Sequence, residues 1–421
     1  MNRNFYFVAL FLLVFFVISF LTNILGPMVP DIIESFDLSL TLVAFLPFAF
    51  FIAYGIMSIP SGILVEKIGA KKVMVLAFFI SCLGALFFAW KPSYSFYLVS
   101  LFFIGTGMAM LQVAINPLLR VAGGESEFAF NSVLGQLFFG LASFLSPLFY
   151  SYIVLNIGND QKGDVLTNLL TKIVPDNLPW ISLYWVFAVI SLLMVIVISL
   201  IKFPKIKLKD DEKVGALQTH LELLKRPMVI LYFLGIFAYV GTEQGVANWI
   251  SQFLATYHDV DPQTQGASTV SYFWGMMTAG TILGLVLLKF MDSRKVLIFF
   301  TSAAIICLLA SLLGSKSIAL FGFPLVGFFA SVMWSVIISL ALNSVKSHHG
   351  SFSGILVTGI AGGAIVPLIV GSLGDALGLK YGMFFLFITL LYILSIGFWS
   401  KPLINNDFIG KSKNQEPTAS S

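Results

Sequence analysis

The chain has 421 residues, 58% of them hydrophobic and only 10% charged, with a mean hydropathy of +0.96. Ordinary soluble domains carry about a quarter charged residues, so a soluble enzyme or a nucleic-acid binder is excluded and a polytopic membrane protein is expected. The net charge of +4 then belongs to loops beside a bilayer, not to a nucleic-acid surface.

Residues 1–4 precede an apolar run from Phe5 to about Val29, too long for a signal-peptide core, which reads as the first membrane span. Runs of about 20 apolar residues, the length that crosses a bilayer, follow in chain order. The first set lies near 5–32, 41–65, 72–90, 95–119, 128–155 and 180–201. The second lies near 228–256, 267–290, 295–314, 318–344, 351–374 and 380–399. The expected fold is therefore an all-α membrane protein of twelve transmembrane helices in two pseudo-symmetric six-helix bundles. Its divisions are an N-terminal bundle at 1–201, a polar cytosolic linker at 202–226, a C-terminal bundle at 227–401 and a cytosolic tail at 402–421. With both termini cytosolic, 19 of the 24 Lys and Arg residues fall inside, and only Lys91, Lys162, Lys172, Lys316 and Lys380 fall outside. That asymmetry matches the positive-inside rule and predicts a multi-pass protein of the inner or plasma membrane. The loop at 156–179 is then external and has no assignable task. Cys82 and Cys307 lie in separate spans without metal spacing, and the four His residues fall in loops or at span ends, so neither a disulfide nor a metal centre is expected.

Span 7 holds the most polar stretch inside an apolar run, at 239–252. Glu243 lies deep in it, and a carboxylate at that depth is costly enough to mark a functional site. Gln244, Asn248 and Gln252 recur at i, i+4 and i+8, which stacks three amides on one helix face beside Trp249. Such a face needs water, a polar ligand or another helix to which the amides bond. The other acids, including Asp31, Glu34, Asp37, Asp292 and Asp375, read as span ends or loops, leaving Glu243 as the sole deep carboxylate. In span 4, Gln112 and Asn116 are one turn apart, and Pro117 removes a backbone donor and bends the helix. Gly55, Pro60, Pro147, Gly359, Gly362, Gly363 and Pro367 allow close helix contacts and kinks.

Between spans 2 and 3 stands Gly62-Ile-Leu-Val-Glu66-Lys67-Ile-Gly69-Ala-Lys71-Lys72. It resembles the signature loop of the major facilitator superfamily, with Glu66 where many members carry Asp, and implies a charge latch that holds one conformation. Leu111-Gln112-Val-Ala-Ile-Asn116-Pro117, Tyr239-Val-Gly-Thr-Glu243, Ser271-Tyr-Phe-Trp274-Gly275, and Gly362-Gly363-Ala-Ile-Val-Pro367 followed by Gly371 and Asp375 narrow the resemblance. Together they look like the fucose, glucose and galactose symporter branch. The resemblance implies import of a hexose such as glucose, galactose, mannose or fucose by cation symport and alternating access. It implies no bound cofactor, only a transported sodium ion or proton, and as partners the sugar, the cation and lipids, with no nucleic acid and a monomeric chain.

Sugar hydroxyls need donors and acceptors, and a pyranose has an apolar face that stacks on aromatic rings. The expected substrate contacts are Asn23, Gln112, Asn116, Gln136, Gln244, Asn248, Trp249, Gln252 and Trp274, with Trp334 a further stacking candidate and Glu243 as the coupling group. Gln112 resembles the glucose and galactose members, since fucose-proton symporters usually carry Glu there. Other departures from the fucose type are Gly26 for an Asp, Phe139 for an Asn, and Thr281 for a basic residue of a second latch. An exporter of drugs or other small molecules, an uncoupled sugar uniporter and a non-transporting sensor are alternative readings. Enzyme activity is not expected, because no nucleophile, base or metal set is apparent.

Overall fold

A computed structural model describes residues 5–123, 128–158, 164–175, 177–203, 217–345 and 349–403. Among them, twelve helices are long and apolar enough to cross a membrane. In order these are span 1 (Tyr6–Phe36), span 2 (Leu40–Ile68), span 3 (Ala70–Trp90), span 4 (Tyr94–Ile115), span 5 (Leu134–Asn156) and span 6 (Pro179–Leu200). The second half supplies span 7 (Pro227–Ala247), span 8 (Pro262–Leu287), span 9 (Ser293–Leu313), span 10 (Lys316–Leu342), span 11 (Ser351–Leu377) and span 12 (Leu379–Trp399). Spans 1–6 and 7–12 form two bundles, with the start of span 1 and the end of span 12 on one face, called here the termini face, and the loops at 37–39 and 259–261 on the far face.

Several spans are broken helices. In span 1, helix Phe5–Thr22 stops and Leu25–Phe36 restarts. Pro27 explains the gap, since its ring lacks an N–H for the carbonyl of Asn23, four residues earlier, and crowds it. Span 7 ends its first helix at Ala247, and a second, Ile250–His258, carries the chain on to the far face. In span 11 a short 3₁₀ turn, Gly359–Ala361, joins His349–Thr358 to Gly362–Leu377.

The bundles meet where spans 2 and 11, 5 and 8, and 1 and 7 pack together. Two glycines make close approach possible. A Cβ on Gly26 would lie 2.4 Å from the Ala247 carbonyl oxygen, so only glycine fits where the breaks of spans 1 and 7 cross. A Cβ on Gly140 of span 5 would lie 2.0 Å from Thr278 Oγ1 of span 8. Within the first bundle, Phe88, Tyr97, Trp180 and Tyr184 form a packed aromatic cluster, and the Tyr184 hydroxyl donates to that of Tyr97 at 2.6 Å.

The loop between spans 2 and 3 turns at Gly69, whose φ of 85° suits glycine. Lys71 donates to the Ser199 carbonyl at the end of span 6, at 2.8 Å. Gly62 is buried, and Glu66, Lys67 and Lys72 are exposed. The Lys71 bond thus lies within one bundle. On the same face, Asp292 accepts from Arg294 at 2.9 Å, and this hydrogen-bonded guanidinium holds the Asp292 carboxyl below the usual carboxylate range.

Asp31 lies near the far-face end of span 1, as expected, but it is buried. Span 1 continues through Phe36, so Asp31 lies inside a helix, 8% exposed. Its two oxygens accept from the Tyr150 hydroxyl of span 5, at 2.5 Å, and from Gln263 Nε2 of span 8, at 3.1 Å.

Candidate functional site: a central cavity between the bundles

A cavity of about 280 Å³ lies between the bundles. That is near the lower end of the ~300–1,000 Å³ range of small-molecule sites and suits a one-ring ligand. Span 1 contributes Asn23, span 4 Gln112, span 5 Gln136, span 7 Glu243 and Gln244, span 8 Trp274 and span 10 Trp334. The amides thus line both walls, whereas the carboxylate and the two indoles come from the second bundle.

Glu243 is half-buried, and its side chain borders the cavity. The Tyr239 hydroxyl, one turn earlier, hydrogen-bonds to it. Gln244 is buried, with Cγ close to Gly363 of span 11, where a Cβ would meet it at 3.2 Å and the Phe51 ring at 3.0 Å. Asn23 is 4% exposed and partly committed to the frame of its own bundle. Its Nδ2 donates to Ser143 Oγ at 2.9 Å and Ser19 Oγ at 3.4 Å, and those two hydroxyls bond each other at 2.6 Å.

Three expected contacts do not line the cavity. Asn248 and Trp249 are buried at the break of span 7, and Gln252 donates to Thr256 Oγ1 at 3.1 Å. The helix is interrupted after Ala247, and of the three amides in the i, i+4, i+8 pattern only Gln244 lines the cavity. The Asn116 side chain lies outside the described residues. Conversely, Thr22, Tyr54, Ser143, Thr278, Ser331 and Ser335 line the cavity without having stood out in the sequence. Hydroxyls are common in membrane helices, where they bond their own backbone, as Thr278 does to the Trp274 carbonyl at 3.0 Å. Thr281, the position expected to lack a latch cation, is also in the lining.

On the far face the bundles are tied together. Both oxygens of Asp375, in span 11, accept backbone N–H groups at the start of span 2, from Leu40 and Thr41, each at 2.8 Å. Asp31 bonds Gln263 across the same interface, and Ser271 Oγ donates to the Phe144 carbonyl. The cavity lining runs instead toward the termini face, reaching Phe15 of span 1 and Leu285 near the end of span 8.

Residues 11–366 match the Major Facilitator Superfamily. A glucose/galactose transporter of Brucella abortus is 31% identical over 91% of this chain and 92% of its own length. An L-fucose-proton symporter of Escherichia coli is 27% identical over 88% of this chain and 87% of its own. Among solved structures, FucP, a Major Facilitator Superfamily transporter in the outward conformation, aligns with a TM-score of 0.68 at 24% identity, covering 94% of this chain and 98% of its own. The sequence match, twelve spans in two bundles and a cavity between them make this chain a member of the Major Facilitator Superfamily.

Proposed function

We propose that the protein is a secondary transporter that imports a neutral hexose or closely related sugar together with a cation, by alternating access. The observation that carries this reading is the central cavity: a half-buried carboxylate, Glu243, beside amides from both bundles and two indoles. Amides donate and accept as sugar hydroxyls require, and the indoles offer faces for the ring. The names of the relatives, a glucose/galactose transporter and an L-fucose-proton symporter, support the same class.

Glu243 is the coupling group in this reading. A carboxylate in a low-dielectric site is stabilised by binding a proton or by ligating a hard cation with neighbouring oxygens, so a proton and a sodium ion both suit it. Transport then follows from the two faces of the interface. The termini face is cytosolic, as the basic residues indicate, and the membrane is the inner or plasma membrane. With the far face closed by Asp375 and Asp31, the described conformation is the one that releases substrate inward. Opening requires the Asp375 and Asp31 bonds to part and the cavity to close on the cytosolic side. The protein works as a monomer, surrounded by lipid.

Uptake of a labelled hexose panel into proteoliposomes, with sodium and proton gradients imposed separately, tests this. Accumulation of one sugar under one gradient is the expected result. Equilibration without accumulation would make the protein a uniporter, and no uptake of any hexose would move the substrate to another class.

A further inference from the structure

Among the described residues, none that lines the cavity supplies Glu243 with a cation: there is no Lys, Arg or His among them. The neighbour that bonds the carboxylate, Tyr239, is a neutral phenol. The other titratable lining group is Tyr54 of span 2, also a neutral phenol near pH 7. The side chain is half-buried and open to the cavity, so a ligand can reach it. A carboxylate in such surroundings requires a proton, a metal cation or an ammonium close by. Trp274, Trp334 and Phe51 share the lining, and aromatic rings attract a cation that rests over a face.

From these features we infer that the site accepts amine-bearing, cationic sugars as well as neutral ones, the substrate's own ammonium resting on Glu243 in place of the coupling cation. This rests on the reading of the cavity as a sugar site. An aminodeoxyhexose then carries in one molecule what a neutral hexose and its cation carry in two. The two cations exclude each other, so the sign of the cation's effect reverses between the two ligands. Through reciprocal linkage, the coupling cation tightens the neutral hexose and loosens the amino sugar. Sugars with a carboxylate or phosphate are rejected, because a second anion would face Glu243 in a poorly screened cavity.

The test is equilibrium binding to the purified full chain of a neutral hexose, its 2-amino-2-deoxy analogue and its uronic acid, with sodium varied at constant ionic strength and, separately, with pH lowered from about 7 to about 5.5, a range in which such an amine stays charged. The cation that couples raises the affinity of the neutral hexose and lowers that of the amine, each by about fivefold or more, the usual scale of coupling between sites. In Glu243→Gln, both responses vanish and the amine loses about tenfold in affinity, while the uronic acid gains. Binding of the neutral hexose without the amine overturns the proposal, as does the same sign of cation effect on both. An amine affinity untouched by Glu243→Gln overturns it too. Failure of every neutral hexose to bind, with or without cation, is a different result: it removes the sugar reading itself, and this inference with it.

Discussion

Two acids lie in the spans that open the two bundles, Asp31 buried near the far-face end of span 1 and Glu243 half-buried within span 7, and their surroundings differ in kind. Asp31 has both oxygens engaged by donors, Tyr150 from its own bundle and Gln263 from the other, in a buried interface. Glu243 has a phenol beside it and a cavity in front of it. The lesson is that burial alone does not make a carboxylate a transport group. A carboxylate whose lone pairs are used by the protein is a fastener, whereas one left facing a cavity is available to a travelling ion or ligand.

The comparison breaks most visibly at the point where the two spans cross. Gly26→Val places a side chain against the Ala247 carbonyl, and overpacking of this kind costs about 1–3 kcal/mol or more. Closure of the far face is then disfavoured by about tenfold or more, uptake falls accordingly, and a cysteine at Thr278 becomes more reactive from the far face. Normal uptake would show that the crossing is not needed for closure. Next in size is Glu243→Gln, for which gradient-driven accumulation is lost while sugar exchange across the membrane persists. Preserved accumulation would hand the coupling role to another group, with Asp31 the first to examine.

Asp375→Ala removes a carboxylate that accepts two N–H groups at the start of span 2, a loss of about 0.5–2 kcal/mol by analogy with helix N-caps. Because that bond joins the two bundles on the far face, the expected result is a shift of several-fold toward far-face reactivity of the same Thr278→Cys reporter. An unchanged labelling rate would mean that the contact does not hold the gate. Asp31→Asn keeps the shape but turns one accepting oxygen into an amide donor, so one neighbour must reverse or lose its bond and the other loses its charge assistance, about 1–2 kcal/mol. Thermal unfolding in detergent should move down by a few degrees with accumulation retained, and lost accumulation would put Asp31 in the coupling path. The smallest effect is expected for Gln252→Ala, within about 0.5 kcal/mol and without change in sugar affinity, since Gln252 bonds Thr256 and does not line the cavity.

How much of this was legible in the sequence depends on the physical signal. Twelve spans were, because a bilayer imposes one length on every crossing and hydropathy reads that length directly. Glu243, Gln112, Gln136 and Trp274 stood out since polar and indole groups at family-like positions are rare in these runs, and all line the cavity. Asn248, Trp249 and Gln252 were misplaced by extending one helical phase through a break that contains no proline to announce it. Asp31 reads correctly as a span-end residue, but its task is not legible, since nothing local announces that Tyr150 and Gln263 occupy both its oxygens. Tyr54 and Thr278 were not legible, since nothing local distinguishes a hydroxyl that faces a cavity from one that bonds its own backbone.

The contact at Asp375 places unequal demands on its two sides as the sequence drifts. Span 2 offers main-chain N–H groups at Leu40 and Thr41, which any residue but proline supplies, and the Thr41 and Ser39 hydroxyls add to them. Span 11 must keep a short side chain with two acceptors. Substitutions at Leu40 can therefore accumulate without loosening that lip of the gate, while the opposite lip is held to a single chemical group.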